Sequence, residues 1–218
     1  MTKTKNYTVF FDFDNTITTY DVIDDMLLWF SRDNRWINLE KKWKKGKISS
    51  RECLKGQVEG MRITQKALEE YLSRIKIDPY FKGLIQLLDS HGVKIVVLSD
   101  NFDEVLNHVF SHYRIKGLKI YSNKVELTKD KLVLSFPYAN KHCLLCAHCK
   151  KKSLLANIRN GSTSVYIGDG LSDVCASQQA DMVFAKADLL KYFKRNKLKC
   201  APFKTLKDVY GYFKRSLC

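Results

Sequence analysis

The sequence predicts an α/β protein: a doubly wound parallel-sheet, Rossmann-like core with a small helical cap inserted after the first strand. Three observations carry this expectation. Short apolar runs rich in β-branched residues alternate with helical stretches, as in strands buried on both faces of a parallel sheet. Three of those runs end in polar, mostly acidic residues. The connection between the first two runs is unusually long and itself helical in pattern.

Tyr7-Thr8-Val9-Phe10-Phe11 is the first strand and ends at Asp12-Phe13-Asp14. The connection over 20–80 reads as helices: Ser49-Ser50-Arg51-Glu52 has capping-box spacing, and Ala67-Leu68, Tyr71-Leu72 and Ile75 recur at helical intervals. The expected division is therefore a core of 1–19 and 81–218 with a cap of 20–80. Helices are expected at Phe81–Ser90 and 102–110, on either side of the second strand, Val93-Lys94-Ile95-Val96-Val97-Leu98, which ends at Ser99-Asp100. The stretch 120–136 alternates like a strand pair around Thr128-Lys129-Asp130 and reads as a β-hairpin. Ser164-Val165-Tyr166-Ile167 is the third buried run and ends at Gly168-Asp169-Gly170; Met182-Val183-Phe184 is the fourth. A helix over 153–159 is expected ahead of the third. Ligands of open α/β sheets sit beyond the carboxyl ends of the strands. The acidic ends therefore converge on one site, although they lie far apart in the chain.

With 218 residues there is room for one sizeable core and a small accessory unit. The hydrophobic content of 45% and aromatic content of 12% exclude a disordered chain. Lys and Arg outnumber Asp and Glu by 38 to 23, a net +15. Much of that excess lies in runs such as Lys41, Lys42, Lys44, Lys45 and Lys47, or Lys191, Lys194, Arg195, Lys197 and Lys199, which read as exposed helix faces and ends. Nucleic acid is not the expected partner on this reading, although Lys42-Trp43-Lys44 is compatible with a basic binding module. The N-terminus does not resemble a signal peptide, and no apolar run approaches the roughly 18 residues that span a bilayer. A cytoplasmic protein without a membrane partner is expected, with its seven cysteines reduced by default. The oligomeric state is not legible.

The acidic loops suggest phosphoryl chemistry. A carboxylate can attack phosphorus when a cation offsets repulsion by the anionic substrate. A second acid must then protonate the leaving oxygen and activate water. Asp12 and Asp14 supply such a pair, and Gly168-Asp169-Gly170-Leu171-Ser172-Asp173 adds two carboxylates on a glycine-rich turn. Magnesium requires hard oxygen ligands of this kind. Ser99 offers a hydroxyl, and Lys150, Lys151 and Lys152 offer the positive charge a transferring phosphoryl group needs.

An apolar run followed by Asp12-x-Asp14-x-Thr16, a second followed by Ser99, a lysine, and then Gly168-Asp169-Gly170-x-x-Asp173 resembles the four ordered motifs of haloacid dehalogenase phosphatases. The resemblance spans essentially the whole chain, and the helical insertion resembles a phosphoserine-phosphatase-type cap. It implies Asp12 as nucleophile and Asp14 as general acid/base. It implies Mg2+ held by Asp12, the Asp14 main chain and Asp169, with Asp173 supporting. Cys149-Lys150 followed by Leu154 matches the family's spacing and selects Lys150, with Ser99, as phosphate-binding. Asn15 stands where the family usually has Gly, a substitution that tolerates left-handed backbone. Asp21 and Asp100 are expected to contact the leaving group of a small phosphorylated metabolite.

His142-Cys143-Leu144-Leu145-Cys146-Ala147-His148-Cys149 carries a Cys-x-x-Cys spacing that suits reduced thiols, a metal or a disulfide. Its place before the lysine resembles methionine-salvage phosphatases and phosphoethanolamine/phosphocholine phosphatases. Ala180-Asp181-Met182-Val183-Phe184-Ala185-Lys186, Pro202-Phe203 and Thr16-Ile17-Thr18-x-x-Asp21 resemble the first group and Ser99-Asp100 the second, so the resemblance implies a methionine-salvage-type phosphatase first, with phosphoethanolamine/phosphocholine or phosphoserine hydrolysis as the alternatives. Ser99-Asp100 and Ser172 depart from phosphoserine phosphatases. Transfer to an acceptor other than water would use the same motifs.

Overall fold

The computed structural model describes residues 6–143 and 145–217. Strands β1 (Tyr7–Phe11), β2 (Lys94–Phe102), β3 (Lys119–Thr128), β4 (Lys131–Ser135), β5 (Thr163–Gly168), β6 (Met182–Ala185) and β7 (Ala201–Pro202) form one seven-stranded sheet. The order is β4-β3-β2-β1-β5-β6-β7. All pairings are parallel except β3 with β4. That antiparallel pair is the expected hairpin, turning at Lys129 with φ 58°. Its first strand also joins the main sheet along β2.

The uninterrupted apolar character of β1 follows from burial on both faces. Val9 and Phe11 join the large core, where Phe11 meets Phe81 edge-on at 5.5 Å. Phe10 faces the other way, with Leu98, Tyr166, Leu154 and Ala176. Helix α5 (Phe81–Ser90) and helix α10 (Leu206–Leu217) cover the first face. Helices α7 (Lys150–Leu155) and α8 (Val174–Ser177) cover the second. The helix expected over 153–159 instead begins at Lys150 and ends at Leu155.

Between β1 and α5 lie four helices, α1 (Val22–Phe30), α2 (Arg35–Lys44), α3 (Ser50–Glu59) and α4 (Gln65–Leu72). Ser49 caps α3 in the expected capping box with Glu52. The chain enters and leaves this segment side by side, through the bridge between Thr18 and Ile77. The tip of the β3–β4 hairpin touches it, where Asp130 O accepts Ile63 N at 2.9 Å and its carboxylate lies 3.6 Å from Arg62. Helix α6 (Asp103–His112) follows β2, and α9 (Ala187–Arg195) follows β6. The lysine runs lie on exposed faces and ends of α2 and α9. Among the described residues no helix is long and apolar enough to cross a membrane.

Strand β1 lies between β2 and β5, so the chain departs in opposite directions on its two sides. This is the topological switch point, where an open α/β sheet leaves a crevice at its carboxyl end.

Candidate active site

At the end of β1 the chain turns so that Asp12 and Asp14 face the crevice while Phe13, between them, enters the core. Phe13 meets Phe110 edge-on at 5.8 Å. Asn15 takes φ 49°, the left-handed conformation that asparagine tolerates better than most residues. Thr18 secures the turn by accepting Asn15 N at 2.9 Å and donating to Tyr20 O at 2.7 Å. The Asp14 carboxylate accepts from Val22 N at 3.0 Å and from Asn101 Nδ2 at 2.8 Å, with Ser99 Oγ at 3.5 Å. Burial nevertheless pushes the Asp14 carboxyl up to about 7, against the pull of the Asn101 and Val22 hydrogen bonds.

Lys150 is the first residue of α7, and its Nζ reaches Asp12 Oδ1 at 2.5 Å and Asp173 Oδ1 at 2.7 Å. Lys151 and Lys152 face solvent. Burial opposes the charge on Lys150, but Asp12 and Asp173 outweigh it and hold its pKa well above the usual lysine value. Asp173 is fully engaged: Oδ1 also accepts from Tyr166 Oη at 2.7 Å, and Oδ2 accepts the backbone N–H groups of Asp169 and Gly170 at 3.1 Å each. This packing requires glycine at 168, where a Cβ would lie 2.5 Å from Asp173 Oδ2. Asp169 accepts from Asn15 Nδ2 at 2.7 Å and Thr16 Oγ1 at 3.3 Å.

Oxygens of Asp12, Asp169 and Asp173 gather within 4.8 Å of one another. Burial, and then the neighbouring Asp173, push Asp12 and Asp169 above the usual carboxylate range. A buried group of like charges with one lysine among them favours a further cation. Its donors are all hard oxygens, so the residues present fit magnesium. Because Asp173 already receives four donors, Asp12 and Asp169 are the carboxylates left to face such an ion.

Ser99 Oγ accepts Asn101 N at 2.9 Å, and its carbonyl takes the Nδ1 proton of His148 at 3.0 Å. His148 Nε2 accepts from Ser153 Oγ at 2.8 Å, and His148 N donates to Asp100 Oδ1 at 3.0 Å. Burial drives the His148 imidazole down to about 4, so it is neutral. The histidine thereby joins the ends of β2 and the loop before Lys150.

Above these groups is a cavity of about 300 Å3 between the sheet ends and α1–α3. Eight of its lining residues are acidic and two, Lys44 and Lys150, are basic, the reverse of the +15 chain. Asp21 and Asp100 both line it, but each also has a structural task. Asp21 caps α1 by accepting Asp24 N at 2.9 Å, and Asp100 holds the His148 loop. The protein packed around Asp21, and then the charges of Asp14 and Asp24, push its carboxyl well above the usual range, although solvent reaches it through the cavity. Asp24, Glu40, Gln57 and Asp188 also line it and were not singled out from sequence; Trp43, which sequence marked only as part of a possible basic binding module, lines it too. Glu40 binds Lys44 at 3.1 Å and Gln57 Nε2 at 3.1 Å. Asn101, His148 and Tyr166 were missed as well. Asn101 is legible only as the residue two beyond Ser99, on the same side of β2.

The structure thus brings Asp12, Asp14, Ser99, Lys150, Asp169 and Asp173 to one crevice, with Asp21 and Asp100 at its wall. A switch-point crevice holding those carboxylates and one buried lysine defines a haloacid dehalogenase-type phosphatase. Solved structures agree on the fold. A phosphoserine phosphatase captured as a phospho-aspartyl intermediate analogue matches with TM-score 0.74 and 20% identity, covering 96% of this chain and 99% of that one. A substrate-bound phosphoserine phosphatase complex matches at 0.72, with 20% identity and the same coverages. The chain belongs to the family described as "Putative Phosphatase", whose model matches residues 7–201. It is similar to Pdp3-interacting factor 1 of Schizosaccharomyces pombe, 28% identical over 222 residues with 96% of both chains covered. It is also similar to the 2-hydroxy-3-keto-5-methylthiopentenyl-1-phosphate phosphatase of an Exiguobacterium species, 27% identical over 208 residues, covering 93% of this chain and 95% of that one.

Proposed function

We propose that the protein is a magnesium-dependent phosphomonoesterase that hydrolyses the phosphate ester of a small cationic alcohol, such as phosphoethanolamine or phosphocholine, through an aspartyl phosphate on Asp12. The observation that supports the cationic leaving group is the acidic cavity wall. Asp21, Asp24, Glu40, Asp100 and Asp188 face a space in which, among the described residues, Lys44 is the one cation besides the buried Lys150. Trp43 adds an aromatic face, which attracts ammonium groups. A second phosphate or carboxylate on the substrate would be repelled there. The relatives that act on the methionine-salvage intermediate favour a second reading, with an uncharged leaving group.

In this reading Asp12 attacks phosphorus with the oxygen that Lys150 does not hold, the P–O bond to the alcohol breaks, and Asp14 gives its proton to the departing oxygen. Asp14 then takes a proton from water, which attacks the aspartyl phosphate, frees inorganic phosphate and restores Asp12. A carboxyl raised to about 7 serves both halves of that cycle near neutral pH. Ser99 and Lys150 bind the phosphoryl oxygens. Asp173 positions Lys150 and the loop that carries Asp169. Asp12, the Asp14 main-chain carbonyl and Asp169 would hold the magnesium ion, which would supply positive charge against the phosphate. Residues 20–80 act as a cap that limits substrates to what the cavity admits and excludes water.

The test compares kcat/KM for phosphoethanolamine, phosphocholine, the methionine-salvage phosphate and an aryl phosphate, with wild type and Asp24→Asn. Asp100→Ala is less clean, since it also releases His148 N. The expected result is preference for the cationic esters and a KM rise of about tenfold for them alone in Asp24→Asn, one lost charge contact of about 1.4 kcal/mol. Equal effects on cationic and aryl substrates would refute the recognition of charge.

A further inference from the structure

The segment ahead of Lys150 carries thiols that the proposed hydrolysis does not use. Cys143 and Cys146 are partly exposed, and their sulfurs lie 3.6 Å apart. Cys149 is buried, with Asn140 Nδ2 3.9 Å from its sulfur. The three do not form a closed metal cage: among the described residues, the group of three or more His, Cys, Asp or Glu close enough to hold an ion is Asp12, Asp169 and Asp173. His148 has both ring nitrogens engaged by Ser99 and Ser153.

What the thiol pair touches is informative. Leu145 O accepts Ser50 N at 2.8 Å, Ala147 N donates to Ser50 Oγ at 2.8 Å, and Cys146 O accepts from Arg51 at 3.3 Å. These bonds fasten the segment to the first turn of α3. Two residues further on, His148 N is held by Asp100, and Lys150 follows. The pair therefore sits on the strap that ties α3 to the phosphate-binding lysine.

We propose that Cys143 and Cys146 are an oxidisable dithiol site, which hydroperoxides convert to a disulfide and dithiol reductants restore, and that closing it lowers phosphatase activity through the strap. In the forward direction the Cys143 thiolate attacks a peroxide oxygen, and the O–O bond breaks to release water and leave a sulfenic acid. The Cys146 sulfur attacks the sulfenyl sulfur, its proton and the hydroxide leave as a second water, and the S–S bond forms. Two thiols are oxidised and one peroxide is reduced. The surroundings suit Cys143 to the attacking role. Burial opposes its ionisation, but the N–H groups of Leu145 and Cys146 and the neighbouring thiols outweigh it and hold its pKa below the ordinary cysteine value. Burial keeps Cys146 a neutral thiol. Drawing the sulfurs from 3.6 Å to bonding distance, about 2.05 Å, pulls on a segment whose backbone is pinned to Ser50 and Asp100.

The activity arm rests on the proposed hydrolysis; the chemical arm does not. Purified protein is treated with one equivalent of hydrogen peroxide, alkylated and digested with trypsin. The peptide from His142 to Lys150 holds all three cysteines. The expected product has lost the mass of two hydrogens, carries the alkyl group on Cys149, and reverts with a dithiol. Turnover of the best substrate should fall on the order of tenfold or more, as displacing a positioned group by about 1 Å can do. Cys143→Ser and Cys146→Ser should keep basal turnover and resist peroxide. Oxidation found first at Cys175 or Cys200, or a stoichiometric thiolate-bound metal that blocks alkylation, would overturn the site. A disulfide that forms without change in turnover would overturn the strap while leaving the hydrolysis untouched.

Discussion

His148 offers the sharpest quantitative prediction, because its neutral state is built into the link between β2 and Lys150. Burial lowers its pKa from 6.5 to about 4, which corresponds to about 3 kcal/mol of preference for the neutral ring in the folded state. The unfolded chain protonates His148 near pH 6.5 and the folded chain only near pH 4. The contribution is therefore fully present above pH 6.5 and is lost as pH falls, with about 2 kcal/mol gone by pH 5. The buried carboxyls of Asp12 and Asp14 act oppositely: their raised pKa values make the folded state the better proton binder, so they favour it as pH falls. A variant comparison separates the two. His148→Gln loses ring hydrogen bonds at every pH, a constant offset, but has no proton to gain. Urea unfolding of wild type and His148→Gln at pH 7.5 and pH 5 should show their stability difference shrinking by about 2 kcal/mol at the lower pH. A difference independent of pH would refute the placement of a neutral, buried imidazole.

Lys150→Met should abolish turnover and cost about 3–5 kcal/mol in urea unfolding without metal, because it strands Asp12 and Asp173 in a buried site. Gly168→Ala should lower stability by about 1–3 kcal/mol, read as a lower melting temperature, because its methyl group would collide with Asp173 and Tyr166. Chelation should remove activity, magnesium should restore it and calcium should restore it poorly, since calcium takes more ligands at longer distance; full turnover in metal-free buffer would contradict the ion's role.

The parts of this protein that sequence made legible are those in which one residue type at one spacing has few physical alternatives. The β1 run, Phe81–Ser90 and the hairpin around Lys129 lie where the pattern puts them, because burial on two faces, helical periodicity and a tight turn each leave a local mark. The residues ending β1, β2 and β5 converge because parallel strands share one carboxyl end. The cavity wall was less legible. Glu40 and Trp43 sit on a lysine-rich helix whose sequence reads as a solvated face, and only its packing over the crevice turns them inward. His148 carried no signal apart from its neighbours; its role depends on a carbonyl 49 residues earlier in the chain. Tyr166 reads as a core residue, and its hydroxyl reaches Asp173 only because the loop after β5 folds back over the strand. Asp21 shows that capping a helix and lining a cavity are compatible tasks for one carboxylate.

The central claim is that Asp12 becomes phosphorylated during turnover. Protein mixed with a hydrolysed substrate and magnesium is quenched in acid, reduced with borohydride to convert an acyl phosphate to the alcohol, and digested for mass spectrometry. The account predicts conversion of Asp12 to homoserine, dependent on substrate and absent from Asp12→Asn, which should stay folded and inactive. Homoserine at Asp14 or Asp169 instead, or normal turnover by folded Asp12→Asn, would contradict it.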